Sequence, residues 1–182
     1  MEACTEEKLV ELLHQGDQNA LKEVIRRHGS MVARVVKGML GEVPEAEDIG
    51  QETFIRFWSS LKTYRHEAKL STFLVRIAMN LSLNEIKSRK KRIGFLAVWK
   101  IERAEEKEIK KSNFDEDFAN NQLVEMILAK LDEAHRSVVL LRLIEGFSTK
   151  ETARLLNIPM GTVLSRLSRA QVKMREIIKA IE

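Results

Sequence analysis

The sequence predicts an all-α protein of two helical domains, and three observations support that prediction. Only 8 glycines and 2 prolines occur in 182 residues, so few positions interrupt a helix. Apolar residues recur three and four positions apart through most of the chain, which is the spacing of amphipathic helices. Residues 93–118 break this spacing with a short apolar run and dense charge. We therefore expect domains over residues 1–92 and 119–182, joined by residues 93–118 as a flexible linker.

Four helices are predicted in the N-terminal domain from their start and stop signals. The first ends at Gly16, and Asp17 can cap the second, which has a candidate kink at Gly29-Ser30. Pro44 and the acidic residues after it favour the start of the third helix, and Ser71 can cap the fourth. The predicted helices cover residues 6–14, 18–39, 44–62 and 72–92.

The C-terminal domain is predicted to begin with two helices, over residues 119–133 and 134–145, each rich in leucine, isoleucine or valine. We expect these two helices to cover the back of the segment that follows them. The linker leaves an alternative open, because the residue types from Ile101 to Lys111 also permit a helix.

Residues 146–173, GFSTKETARLLNIPMGTVLSRLSRAQVK, are typical of a helix-turn-helix. Ser148 can cap a short helix that ends at Leu156. Pro159 lacks a backbone donor and disfavours helical geometry in the residue before it, so it separates this helix from the next. A second helix is predicted from Gly161.

The second helix of this motif has two different faces. Apolar residues at intervals of four and three share one face and are Val163, Leu167, Ala170, Met174 and Ile177. Hydroxyl and basic groups occupy another face, which suits a DNA major groove because arginine reads guanine edges and the others reach bases or phosphates. The candidate DNA-reading residues are Thr162, Ser165, Arg166, Arg169 and Lys173. The alternative is an ordinary helical hairpin with a solvated basic face.

The predicted fourth helix carries a second candidate surface, because four of its polar residues fall in one stripe. Asparagine is disfavoured inside a helix, but its amide can read base edges while flanking charges hold phosphates. The stripe leads into KSRKKR, residues 87–92, and follows a polar loop that can receive an unstacked base. The residues singled out are Arg65, His66, Lys69, Arg76, Asn80, Asn84 and Lys87. A solvated polar stripe is the alternative.

The predicted third helix has an acidic and polar face with an isoleucine in it. Such a face repels DNA and suits a protein partner, although an ordinary solvated face would have the same composition. The candidate contact residues are Asp48, Gln51, Glu52 and Ile55, with Ser59 on the same side.

Charge and composition restrict the class of protein further. Net charge alternates along the chain, −3 over residues 1–62, +7 over 63–111, −5 over 112–134 and +5 over 135–182, so two separate basic blocks can meet phosphate. The single cysteine, Cys4, suits a reducing cytoplasm, and neither a signal peptide nor a membrane span is expected. No phosphate-binding loop or metal-ligand spacing occurs in the sequence, so we expect neither an enzyme nor a cofactor. We expect His28 to lie at the boundary of the core rather than to bind a metal.

Taken together, these segments resemble bacterial sigma factors of the extracytoplasmic-function (ECF) type. The motifs are highly specific in combination, and the likeness covers nearly the whole chain apart from the linker. The segments that resemble the family are DQNALKEVIRRH, AEDIGQETFIRFW, TYRHEAKLSTFLVRIAMNLSLNEIKSRKKR and LDEAHRSVVLLRLIEGFSTKETARLLNIPMGTVLSRLSRAQ.

The resemblance implies a domain of region 2 and a domain of region 4, which bind core RNA polymerase and recognise promoter −10 and −35 elements. It implies that Asp48, Gln51 and Glu52 contact the polymerase, and that Asn80 and Asn84 read the melted −10 strand. The loop from Arg65 to Lys69 would hold a flipped −10 base, and Ser165, Arg166 and Arg169 would read the −35 element. It also implies control by an anti-sigma factor.

Two residues depart from the family pattern, Leu164 where Lys or Arg is common and Gln171 where Arg is frequent. They put phosphate contacts and the exact −35 sequence in question. Two other classes stay open on the residues alone: a self-contained DNA-binding regulator with an N-terminal sensing or dimerisation domain, and a protein-interaction module. A sensing domain needs neither the second basic block nor the asparagine stripe, and an interaction module needs no −10 surface.

Overall fold

A computed structural model of the chain describes residues 5–61, 64, 69–97 and 116–181, and all regular structure within these residues is helical. The predicted all-α class is confirmed. The elements are α1 Glu6–His14, α2 Gln18–Leu40, α3 Pro44–Ser60, α4 Leu70–Ala97, α5 Glu116–Lys130, α6 Glu133–Val139, a π-helical turn Leu140–Ile144, α7 Thr149–Leu156 and α8 Met160–Lys179.

Local capping explains most of the helix starts. The Asp17 carboxylate accepts a hydrogen bond from the Asn19 backbone N–H at 2.7 Å, which satisfies a free donor at the start of α2. Pro44 occupies the first position of α3, where a missing N–H costs nothing. α2 continues unbroken through Gly29, since one glycine in a long, packed helix is tolerated at a cost of about 1 kcal/mol.

Both helices beside the predicted linker enter it. α4 continues to Ala97, beyond the predicted end at Arg92, because no proline stops it and the Glu85 carboxylate accepts hydrogen bonds from Arg89 and Arg92 at 2.9 and 2.7 Å. α5 begins at Glu116. The rest of the predicted linker, including the alternative helix over 101–111, lies outside the described residues.

The helix predicted over residues 134–145 changes from an α-helix to a π-helical turn in its second half. α6 ends at Val139, and the next turn is π-helical, with the Glu145 N–H donating to the Leu140 carbonyl five residues back at 2.9 Å. The turn closes where the Phe147 N–H reaches the Leu141 carbonyl. Single π-helical turns of this kind often occur at functional contacts, and this one lies where the two units of the chain meet.

Helices α1 to α4 form the N-terminal unit around a core of completely buried side chains. Val24, Val35, Phe57, Leu74 and Met79 are each fully inaccessible to solvent. The Phe57 ring stacks edge-on against Phe73, and Phe73 lies against Tyr64, so an aromatic cluster supports the start of α4.

The C-terminal unit packs directly on α2. The buried Leu140 side chain lies so close to Gly38 that a Cβ built on that glycine would be 2.7 Å from Leu140 Cδ1. The Arg34 guanidinium donates two hydrogen bonds to Glu145, at 3.0 and 3.1 Å, and only 3% of the Glu145 side chain is exposed. Arg136 donates to the Met39 carbonyl at 2.7 Å. The two units therefore share one continuous apolar core.

Candidate nucleic-acid interface

The second helix of the helix-turn-helix, α8, buries the face that the sequence predicts. Val163 and Ala170 are fully buried; Leu167 packs half-buried against the small cluster that contains Val163, and Met174 and Ile177 pack half-buried against the main core that contains Ala170. Helices α5 and α6 pack against this side, as expected. The opposite side of α8 is therefore the surface available to a nucleic acid.

The five candidate reading residues on α8 differ in their surroundings. Ser165 and Arg169 are exposed, and Ser165 Oγ donates to the Thr162 carbonyl at 3.1 Å. Thr162 and Arg166 are half-buried at the edge of the face. Lys173 is exposed but pairs with Asp132 at 2.8 Å, and this bond to Lys173, together with one to His135, holds the pKa of Asp132 well below its usual range.

The most open part of α8 includes positions that the sequence prediction did not single out. Gly161, Leu164 and Ser168 are exposed and lie on the same side as Ser165. They could have been found from the sequence. On a helical wheel at 100° per residue, the direction opposite to the five apolar residues of the packed face passes between Ser165 and Ser168.

The first helix of the motif, α7, adds basic groups that the sequence prediction also missed. A capping box starts α7, in which the Ser148 side chain accepts from the Glu151 N–H and Glu151 accepts from the Ser148 N–H. Lys150 and Arg154 are exposed and, with Asn157 and Met160, line an open groove of about 460 Å³. Since the first helix of such motifs crosses the DNA backbone, both cations are placed to contact phosphate.

Asn157 makes the sharp turn between α7 and α8. Its backbone is left-handed, with φ of 52°, a conformation that asparagine adopts more readily than most residues. The Ile158 N–H donates to the Ala153 carbonyl at 3.0 Å and closes the end of α7. The turn predicted between Leu156 and Gly161 is therefore present, at residues 157–159, and α8 begins one residue earlier than predicted, at Met160.

The polar stripe of α4 is fully on the surface. Arg76, Asn80, Asn84 and Lys87 are all exposed, and the opposite side of the helix is buried in the N-terminal core. Lys69 is exposed just before α4. Arg65 and His66 lie outside the described residues, but Tyr64 and Leu70, which flank their loop, are both buried.

The basic residues that follow this stripe are partly engaged. Arg89 pairs with Glu45 and Glu85, Lys90 pairs with Glu133 at 2.7 Å, and Arg92 pairs with Glu85. The exposed Lys90–Glu133 pair contributes about 0–1 kcal/mol, so phosphate can displace it at little cost, whereas the Glu85 carboxylate that pairs with Arg89 and Arg92 is largely covered. Lys90 can therefore either pair with Glu133, which helps to hold the C-terminal unit against the N-terminal unit in the closed arrangement seen here, or contact a nucleic acid.

The candidate protein-binding face of α3 is also exposed. Asp48, Gln51 and Ile55 face solvent, and 60% of the Ile55 surface is accessible. Glu52 is partly covered because Arg56 donates to it at 2.7 Å. Arg56 therefore belongs to this face, although the sequence prediction did not include it.

Two negative findings concern the part of the chain that the structure describes. It contains no group of three or more His, Cys, Asp or Glu side chains arranged to hold a metal ion. Within it, no helix is both long enough and apolar enough to cross a membrane.

His28 is half-buried, and burial lowers the pKa of its imidazole.

A basic helix-turn-helix packed on a second helical unit with its own exposed Arg–Asn–Asn–Lys stripe defines a helical DNA-binding protein. Residues 24–92 match the family model of Sigma-70 region 2, and residues 121–174 match that of Sigma-70 region 4. The chain belongs to the ECF RNA polymerase sigma factors, which the sequence resemblance had indicated.

Curated relatives agree with this membership. The chain is 31% identical to the ECF RNA polymerase sigma factor SigW of Bacillus subtilis (strain 168), over 94% of this chain and 96% of that one. It is 32% identical to the ECF sigma-E factor of Escherichia coli (strain K12), over 93% and 92%.

Two solved structures share the fold. One is CnrH in complex with the cytosolic domain of CnrY, with a TM-score of 0.72, 22% identity, and coverage of 97% of this chain and 99% of that one. The other is the sigma factor RpoE in complex with the anti-sigma factor NepR from Bartonella quintana, with a TM-score of 0.69, 21% identity, and coverage of 87% and 96%.

Proposed function

We propose that this sigma factor binds core RNA polymerase through α3 and directs it to promoters by reading the −10 element with α4 and the −35 element with α8. The observation that carries the proposal is the simultaneous exposure of Asn80 and Asn84 on one unit and of Ser165 and Arg169 on the other. In this proposal residues 1–92 and 119–182 act as separate domains around a linker, residues 93–118. The protein works in the cytoplasm, where its partners are, and catalyses no reaction itself.

One experiment tests this function against its alternatives. Core polymerase free of any sigma factor is mixed with the protein and with genomic promoter fragments, and transcripts are mapped to their start sites. Defined start sites preceded by common −10 and −35 sequences are the expected result. DNA binding without polymerase-dependent transcripts would identify a self-contained regulator, and binding to polymerase without DNA selectivity would identify an interaction module.

Replacement of Arg169 by alanine should reduce recognition of the −35 element by about fivefold to 150-fold, which corresponds to the 1–3 kcal/mol of a bidentate contact with guanine. Promoter binding by the holoenzyme should also become less sensitive to base changes in that element. The measurement compares holoenzyme affinity for promoters that differ only at −35. Arg175→Ala is the control, because Arg175 is an exposed arginine farther along α8. Equal base discrimination by Arg169→Ala and wild type would contradict the assignment.

Charge reversal on α3, Asp48→Lys with Glu52→Lys, should weaken binding to core polymerase by about tenfold or more, because complementary charge at an interface becomes repulsive. The Glu52 change also places a lysine beside Arg56, which pairs with Glu52 in the structure. A fluorescence titration of labelled protein with core polymerase measures the affinity. The control is Glu7→Lys with Glu11→Lys, an equal change of net charge at exposed positions on α1. Unchanged core affinity in the α3 variant would remove this face from the interface.

The closed arrangement of the two units has to open during promoter recognition. A compact chain of 182 residues has a radius of gyration of about 16 Å and is roughly 40 Å across. Elements centred about 25 base pairs apart, as their −35 and −10 labels indicate, are separated by roughly 85 Å of DNA at about 3.4 Å per base pair. The contacts of Leu140, Glu145 and Arg136 with α2 therefore cannot coexist with occupation of both elements.

Regulation by an anti-sigma factor follows from the same arrangement. RpoE of Bartonella quintana was solved with the anti-sigma factor NepR, and CnrH with the cytosolic domain of CnrY. We assign a partner of this type to the present chain. A protein that binds the closed form more tightly than the open form keeps α4 and α8 from reaching their DNA elements together. Such a partner needs only differential affinity for the closed state.

A further inference from the structure

The exposed surface of α8 includes two apolar side chains that belong to neither apolar cluster of the fold. Met160 is 50% exposed and Leu164, one helical turn later, is 54% exposed. Leu164 directly precedes Ser165, and it belongs to neither of the apolar clusters of the fold. It also stands where the family resemblance leads one to expect a basic residue.

Leucine excludes most of the contacts that a lysine or arginine would make at this position. It has no donor for a phosphate oxygen or for guanine O6 and N7, and no acceptor for adenine or cytosine amino groups. In the major groove only thymine presents an apolar group, the C5-methyl, and apolar side chains are its complement. Residues near the N-terminus of a recognition helix are those that reach base edges, and Leu164 is the fifth residue of α8.

We propose that Leu164 is a specificity-determining residue that contacts the C5-methyl group of a thymine in the −35 element. It selects a T·A pair there through apolar contact alone. This assignment rests on the proposed function of α8 as the −35 reading helix. Ser165 and Arg169 lie about 100° and 140° around the helix from Leu164, both in the same direction, and supply the polar contacts, so that recognition combines hydrogen bonding with one methyl contact.

The test uses the full-length protein with core polymerase and a promoter library in which the −35 region is randomised. The selected promoter is then remade with each −35 thymine replaced singly by deoxyuridine, which removes only the methyl group. One replacement should weaken wild-type holoenzyme binding about fourfold, corresponding to about 0.8 kcal/mol for one carbon group moved out of water.

The variants decide which side chain is responsible. With Leu164→Ala the deoxyuridine effect at that position should disappear, and with Leu164→Met, which keeps an apolar contact, it should remain. Val172→Ala is the matched control, because Val172 is 49% exposed on the same helix but two turns farther from its N-terminus. It should respond to deoxyuridine as the wild type does.

The outcomes separate this proposal from the function on which it rests. The role of Leu164 is overturned if deoxyuridine has no effect at any position, or if its effect is unchanged by Leu164→Ala. In either case, loss of the −35 preference in Arg169→Ala would still support α8 as the reading helix. A selected −35 element without thymine overturns it equally. If wild-type holoenzyme transcribes but selects no −35 sequence at all, the proposed function of α8 fails, and the role of Leu164 fails with it.

Discussion

Replacement of both Asn80 and Asn84 by alanine should abolish open-complex formation on a duplex promoter while leaving core binding intact. Each lost base contact is worth about 1–3 kcal/mol, so losing two reduces the open complex by roughly thirtyfold to more than ten-thousandfold. In the proposed function, binding of unstacked bases supplies free energy for melting. The two amides lie between Arg76 and Lys87, which can hold the backbone.

Permanganate reactivity of promoter thymines measures this melting directly. Asn19→Ala is a suitable control, since Asn19 is an exposed asparagine near the start of α2, away from the stripe. A template with the −10 region already unpaired should relieve the melting part of the defect and leave the loss of base recognition. Wild-type permanganate reactivity in the double variant would exclude these residues from the −10 role.

Substitution of Gly38 by leucine should open the closed form of the free protein. The new side chain needs the space of Leu140, which is buried and already lies 2.7 Å from the position of a Cβ. Overpacking of this kind costs about 1–3 kcal/mol, which moves the closed-to-open equilibrium roughly tenfold or more toward the open form. The ion pair between Arg34 and the buried Glu145 carboxylate opposes the opening, because it joins the two units. The same pairing raises the pKa of Arg34.

Small-angle scattering of the free protein should show a radius of gyration well above the compact value of about 16 Å. Gly29→Leu is the matched control, because it changes the same residue type in the same helix and a Cβ there meets nothing within 4 Å. Both variants gain helix propensity equally, so a difference between them isolates the contact with Leu140. Equal scattering by Gly38→Leu and Gly29→Leu would show that this contact does not hold the units together.

Local features of the chain were predictable because their causes are local. The bounds of α1 and α7 follow from caps and breakers within a few residues, as in the pairing of Ser148 with Glu151 three positions later. The buried side of α8 follows from the helical repeat of its apolar residues. The two candidate DNA surfaces were identifiable for the same reason, since each is a stripe on one helix.

Features that join distant residues were decided only by the tertiary structure. Arg34 pairs with Glu145 across 111 positions, and Lys173, predicted as a DNA contact, pairs with Asp132 across 41. No periodicity relates such residues, because their approach depends on how whole helices pack. The same applies to the opposition of Gly38 and Leu140. The sequence by itself determined most of the helices and the packed face of α8, and the packing of α2 against the π-helical turn determined that the two units, each with its candidate DNA surface, are held in one closed body.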